Sequence, residues 1–451
     1  MKTTKEEKSW IMYDWANSSY ATIAMVAVLP IYFAQVTGAA GIDGDMWWGL
    51  GTSAATFTLA FLAPVLGALG DYKGTKKRFF TGFLLLGLVF TAANIFTSDW
   101  KMMLLSYSLS YLGFLGTNLF YDAFLTDVTS HERMDKISAL GYGLGYIGGS
   151  TIPFLACLAL ILFGERIGVS PVAAVKLSLA INVIWWAAFS LPILLNVRQK
   201  YYLERPEKGV LPQALGNMRH TFKDIFQNKA IFYFLISYFF YIDGVNTVIN
   251  MATSFGTTLG LNTNMLVVAI LVIQLIAFPC TVLSVRLADK IGTMNTLLLF
   301  MGNYTLIAVL GFVMGFGVEF GHFSVEVGIK IFWALSILVG TSQGGIQALS
   351  RSFFGKLVPP EKSNEYFGFY DIFGKFAAVM GPAIYALVKA LTGYSCYAIL
   401  ALSLLFLAGA GVILKGRREI EAGEARTRSV AEEAGAAAPP SGSREGEVYG
   451  A

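Results

Sequence analysis

Asp14, Asp243, Asp371 and Lys375 are the residues of this chain best placed to do chemistry, because each adjoins or interrupts a long apolar stretch. An ionisable group inside a bilayer is costly, so it normally faces a cavity or a partner. Asp243 lies roughly 20 Å into its segment and Lys375 about 15 Å into its own, at ~1.5 Å per helical residue. Asp371 precedes Lys375 by four residues and shares its helical face. Two carboxylates and one ammonium near mid-depth suit proton exchange, since burial raises an Asp pKa and a nearby Lys lowers it. The competing reading is a permanent ion pair, Asp371–Lys375 or Asp243–Lys375, that only fixes helix packing. Asp14 follows Lys8 closely and is expected to sit shallow, near the mouth of its segment.

Neutral polar groups accompany these charges. Gln343 and Gln347 share a helical face and could hydrogen-bond a substrate or, equally, a neighbouring helix. Asn118, Tyr121 and Asp122 fall on successive turns of TNLFYDAFLTDV, and Arg351 ends SQGGIQALSR. Asp122 and Arg351 could form an ion pair at an inner gate, or could be two separately solvated helix ends.

The loop GALGDYKGTKKR at 67–78 holds Gly67, Asp71 and Gly74, followed by Lys76, Lys77 and Arg78. Asp71 can face a helix N-terminus, where the dipole favours an anion. The two glycines permit a tight turn and a close helix approach. The corresponding later loop, VRLADKIGTM, keeps Asp289, Lys290 and Gly292 but has Val285 for the first glycine and lacks most of the basic cluster. A latch carried mainly by the first loop is therefore expected.

Some signals lead nowhere. GYGLGYIGG at 141–149 has dinucleotide-like glycine spacing, but no strand precedes it and it lies in an apolar run. Gly141, Gly145 and Gly149 at every fourth position instead mark a close helix–helix contact. The three histidines lack metal-like spacing, and no phosphate-binding loop or nucleophile–base constellation stands out. No enzyme activity, cofactor or metal is expected.

The elements that must position these residues are helices. The chain has 451 residues, 55% hydrophobic and 14% charged. Soluble domains are nearer a quarter charged, as a rough average. This composition excludes a disulfide scaffold, a nucleic-acid binder and a disordered regulator. The polar N-terminus, MKTTKEEKSW, carries no removable signal peptide pattern. Ten runs of at least 20 residues lack Asp, Glu, Lys and Arg. A bilayer core needs about 20 helical residues. The run 244–285 is too long for one span and divides at the turn-like GTTLGLNTN; a further apolar segment lies at 365–388. Twelve spans result. Barrel strands would alternate in polarity, and these runs do not. Of 33 Lys and Arg, 27 lie on the side shared by both termini and the even-numbered loops, and only five on the other side. By the positive-inside rule both termini are cytosolic.

The chain repeats itself at a constant offset of 229. Asp14 and Asn17 match Asp243 and Asn246, Glu132 matches Glu361, Gly145 matches Gly374, and Pro153 matches Pro382. Asp122 and Arg351 are also equivalent positions, with opposite charge. The fold class expected is therefore all-α integral membrane, with 12 transmembrane helices in two six-helix halves. The halves are 9–197 and 229–415, joined by a cytosolic loop at 198–228. The tail at 416–451 has almost no large apolar residues and is expected to be disordered.

Several of these segments resemble one branch of the major facilitator superfamily. The loop at 67–78 is similar to that superfamily's cytosolic Gly-x-x-x-Asp-x-x-Gly motif, which implies a latch on the cytosolic gate. YDWANSSYAT, FFYIDGVNTVINMA and EYFGFYDIFGKFAAVMGP resemble the fungal autophagy-related vacuolar amino-acid effluxers and their bacterial relatives. NLFYDAFLTDV does too, although Asp122 stands where Asn is expected. The resemblance spans most of residues 9–415 and implies a secondary active transporter of small polar solutes, with amino acids exported by proton-coupled alternating access as the expectation. Its partners would be the bilayer, the substrate and protons, with the chain a monomer in the cell (inner or plasma) membrane. A facilitator or exporter of sugars or amphiphilic compounds is the alternative transporter. A non-transporting membrane sensor or scaffold is the alternative of another class.

Overall fold

A computed structural model describes residues 2–204 and 210–437, and the described chain is helical almost throughout. Eleven of its helices are long and apolar enough to cross a membrane. The expected fourth span, Trp100–Ala123, forms a 24-residue helix but falls short on apolarity. Its serines, tyrosines, Thr117, Asn118 and Asp122 lower the average, and several of them serve the site described below. The expected break in the long uncharged run is present: span seven is Lys229–Thr258 and span eight is Thr263–Ile291.

Local chemistry fixes where the spans start. Thr4 and Glu7 form a reciprocal capping box before span one, Lys5–Ala39. Asp43, Asp99, Ser170 and Ser324 each accept a backbone N–H at the start of spans two, four, six and ten. Each cap satisfies a donor that the first helical turn leaves orphaned. Gly74 begins span three at φ +73°, a left-handed conformation that favours glycine.

Two hydrophobic clusters form, one drawn largely from residues 10–197 and the other largely from 225–420. They meet along two seams. Span two, Gly44–Gly70, runs beside span eleven, Ser363–Thr392. Span five, within His131–Ile167, runs beside span eight and span ten, Val325–Leu357. Large apolar side chains such as Phe61, Phe96, Leu195 and Leu391 point outward, as a lipid-facing surface requires. Spans one and five each contain a π-helical stretch, Ala21–Ala27 and Gly145–Thr151. Span five packs on span one as its glycine spacing predicts: a Cβ on Gly149 would meet Ser18 Cβ at 2.4 Å.

Two segments differ from expectation. The connection between the halves is not simply a loop, since Val210–Gln227 is an amphipathic helix. The tail does not lose order at 416. The helix begun at Ser403 continues to Ala437, while residues 438–451 lie outside the described chain. Ala, Glu and Arg are strong helix formers, and a preceding span removes the nucleation cost. Ile420 is buried, and Arg428 reaches Glu132 in the opposite half at 3.4 Å.

Candidate functional site

A cavity of ≈ 560 Å³ lies between the halves. Spans one, four and five contribute Asp14, Asn17, Asn118, Asp122 and Tyr146 from one half. Spans seven, eight, ten and eleven contribute Asn250, Gln274, Gln343, Gln347, Arg351, Asp371 and Lys375 from the other. The π-helical stretches supply Ala21, Thr22, Val26, Tyr146 and Ser150, so the widened turns shape the wall. Val26, the lining residue of span one furthest from its N-terminus, is 66% exposed.

Arg351 closes the other end of the cavity. The guanidinium is 1% exposed and donates to Asp14 Oδ2 at 3.0 Å and to Asp122 Oδ1 at 3.0 Å. It also donates to Ser138 Oγ at 3.0 Å and Ser138 O at 3.1 Å. The rings of Tyr142 and Trp10 stack around it, with centroids at 4.3 and 4.6 Å. This is an ion triad binding span ten to spans one and four. Asp14 is buried in the triad. Asn17 donates to Asn118 Oδ1 at 2.6 Å and joins spans one and four just above.

Asp371 and Lys375 pair with each other at 2.5 Å, and both side chains remain 15% exposed to the cavity. Gln343 and Gln347 line the same space, and Tyr146 reaches Gln347 at 3.5 Å. Asp243 and Asn246 do not line it. Asp243 is fully buried and accepts the Gly381 N–H at 2.9 Å, immediately before Pro382 inside span eleven. Its carboxylate ties span seven to span eleven, so the proposed Asp243–Lys375 pair does not form.

The side carrying the termini is sealed by two further clusters. Asp71 is 1% exposed at the foot of span two. It accepts the Asn364 N–H at 2.9 Å, Asn364 Nδ2 at 2.8 Å and the Glu365 N–H at 3.1 Å, all at the start of span eleven. An anion at a helix N-terminus is the arrangement its position suggested. Lys76 is fully buried beside it, pairs with Asp127 at 2.6 Å and donates to Ser363 Oγ at 3.0 Å. On the opposite seam Asp135 pairs with Lys356 at 2.7 Å and accepts from Thr293 and Ser352 at 2.7 and 2.6 Å.

Two expected gate residues are elsewhere: Arg78 and Asp289 are both exposed and belong to neither cluster. Lys76 holds the buried position expected for the basic stretch, and Thr293 makes the second-half contact in place of Asp289. The Asp135–Lys356 cluster was not anticipated. One signal pointed to it: Lys356 is the 229-offset equivalent of Asp127.

Gly67 lies where the halves touch backbone to backbone. A Cβ there would sit 2.5 Å from Asn364 O. Gly67→Val is expected to force the span two–span eleven seam apart, because a carbonyl cannot retreat as a flexible side chain can. Loss of a disulfide cross-link between cysteines placed across that seam, with unchanged chromatographic homogeneity, is the measurement.

These features have counterparts in known proteins. The family described as "Vacuole effluxer Atg22 like" matches residues 50–420. An uncharacterised transporter of the major facilitator type, YxiO of Bacillus subtilis, is 42% identical over 413 residues, covering 90% of this chain and 93% of that protein. Autophagy-related protein 22-2 of Aspergillus clavatus is 28% identical over 58% of this chain and 45% of its own length. Among solved structures, the human organic anion transporter MFSD10 superposes with TM-score 0.68 at 13% identity, over 91% of this chain and 99% of that one. The E. coli fucose:proton symporter gives 0.64 at 14% identity, over 92% and 97%. Two helical halves enclose a polar cavity with ion clusters at one end, and the chain belongs to the Atg22-like vacuole effluxer family of major facilitator membrane transporters.

Proposed function

We propose that the chain carries a small zwitterionic solute, an amino acid being the simplest, across the cell membrane by proton-coupled alternating access. The observation that carries this reading is the charge inventory of one cavity. Asp14, Asp122 and Asp371 face Arg351 and Lys375, leaving one negative charge in excess. A proton would neutralise that excess. A zwitterion entering between Asp371 and Lys375 exchanges one ion pair for two without burying net charge, which keeps the desolvation cost low. A sugar offers no such exchange. The termini and their basic loops face the cytosol on this reading, so the sealed end is cytosolic and the open end external. Export follows from loading on the cytosolic side once the clusters there open.

The test is counterflow of radiolabelled amino acids in proteoliposomes, competed with amines, carboxylic acids and sugars. Zwitterions are expected to compete and sugars to have no effect. Lys375→Ala is expected to lower kcat/KM by at least about tenfold, the equivalent of ~1.4 kcal/mol. Competition by sugars alone would defeat the reading.

A further inference from the structure

We infer that the terminus-bearing face holds a binding site for the headgroup of an anionic phospholipid, between spans three and six. A groove of ≈ 710 Å³ opens there. Lys73, Lys77, Arg78 and Arg198 line it, and no carboxylate does. Lys73 meets Glu204 at 3.4 Å in an exposed pair. Arg78 and Arg198 form no ion pair among the described residues. Four cations around one concavity repel one another, and an anion with several acceptor oxygens relieves that repulsion.

The shape of the groove selects a lipid over a free anion. Its floor runs from the charged rim along Thr81, Gly82 and Leu85, down the membrane-facing side of span three. Leu85 is 56% exposed, and a Cβ on Gly82 would meet nothing within 4 Å. A phosphate held at the rim would have its acyl chains on this apolar strip. Basic recesses between spans at the cytosolic interface are suited to such headgroups.

The groove shares its backbone with the Asp71 latch. Lys73 N–H donates to Leu203 O at 3.1 Å, and Leu203 N–H donates to Asp71 O at 2.8 Å. Gln199 Nε2 donates to Gly70 O at 3.1 Å, and Lys77 Nζ to Val197 O at 2.9 Å. A headgroup bridging Lys73, Arg78 and Arg198 would clamp the loop at 71–78 against the chain after span six. The site is independent of what the transporter carries.

The experiment is native mass spectrometry, with thermal unfolding in parallel, on the purified full chain in detergent. The probes are phosphatidylglycerol, phosphatidylcholine and inorganic phosphate, applied to the unaltered chain and to Arg78→Gln/Arg198→Gln. Phosphatidylglycerol is expected to bind and raise the melting temperature of the unaltered chain, and phosphatidylcholine is not. Each cation removed is expected to weaken binding about fivefold, so about 25-fold for the pair. Lys223→Gln, on the connecting helix outside the groove, is the control and should keep full binding. Equal stabilisation by inorganic phosphate would overturn the lipid assignment, as would phosphatidylglycerol binding unchanged in the double variant. If the double variant is poorly folded, Gly82→Trp is the second variant. It fills the acyl strip without touching charge, and retained lipid affinity there also overturns the site.

Discussion

Arg351→Gln is expected to abolish transport and to lower stability by about 3–5 kcal/mol, because it leaves two carboxylates buried without their cation. Among the described residues Arg351 is the one ion-pair partner of both Asp14 and Asp122, and Ser138 loses a donor to its hydroxyl and to its carbonyl. Arg351→Lys keeps the charge, yet a single ammonium cannot span two carboxylates and stack among Trp10, Tyr121 and Tyr142. It should fall between the parent and Arg351→Gln in melting temperature. The triple variant Arg351→Gln/Asp14→Asn/Asp122→Asn is the sharper measurement. Removing all three charges together should recover most of the stability while transport stays absent. If the triple variant transports, the triad is packing only. If it melts as low as Arg351→Gln, buried charge is not the cause of the loss.

How much of this was legible in the sequence depends on the kind of signal. The apolar runs marked eleven of the twelve expected spans as apolar enough to cross a membrane, and the offset of 229 set Asp122 against Arg351 with an ion pair as one of two readings; the two meet at 3.0 Å. The same offset equated Asp14 with Asp243, and there it misled. A repeat fixes depth along a helix but not which neighbour a side chain meets. Asp14 faces the cavity and Arg351, whereas Asp243 is turned to the N–H of Gly381 beside a proline bend. The basic run after Asp71 posed the same difficulty. Lys76 and Arg78 are two residues apart, nearly opposite faces at about 3.6 residues per turn. Spacing could not say which of them points inward. The tail erred for a different reason: composition measured its lack of core-forming residues and ignored its helix propensity and the rigid span it extends. The π-helical stretches left no charge signal at all.

Asp71→Ala is expected to release the end that carries the termini. The carboxylate accepts three N–H groups from the first residues of span eleven. While the carboxyl is ionised, each hydrogen bond to it contributes about 1.5–3 kcal/mol, and about 0.5–1.5 kcal/mol once it is protonated. Water replaces part of that on opening, so a net shift of at least about tenfold toward the open form is expected. Spin labels on the terminus side of spans two and eleven would report it as a longer distance distribution.

The same residue gives the closure a pH dependence. Burial pushes the Asp71 carboxyl up to about 8, with Lys76 and the Asn364 donors opposing the shift. When the latch opens and water reaches it, the group returns toward its ordinary value of ~3.9. The closed form therefore binds the proton more tightly, and linkage fixes the sign. Closure gains nothing above about pH 8 and gains progressively as pH falls toward about 4. A protonated carboxyl still has lone pairs for the span eleven donors, so the latch geometry survives the titration. Distance distributions for the parent should shorten between about pH 8.5 and about pH 5.5. Asp71→Asn lacks this titration and should respond less than the parent across that range. A parent chain no more sensitive to pH than this variant would mean that Asp71 stays ionised when closed, with the helix terminus and Lys76 outweighing its burial.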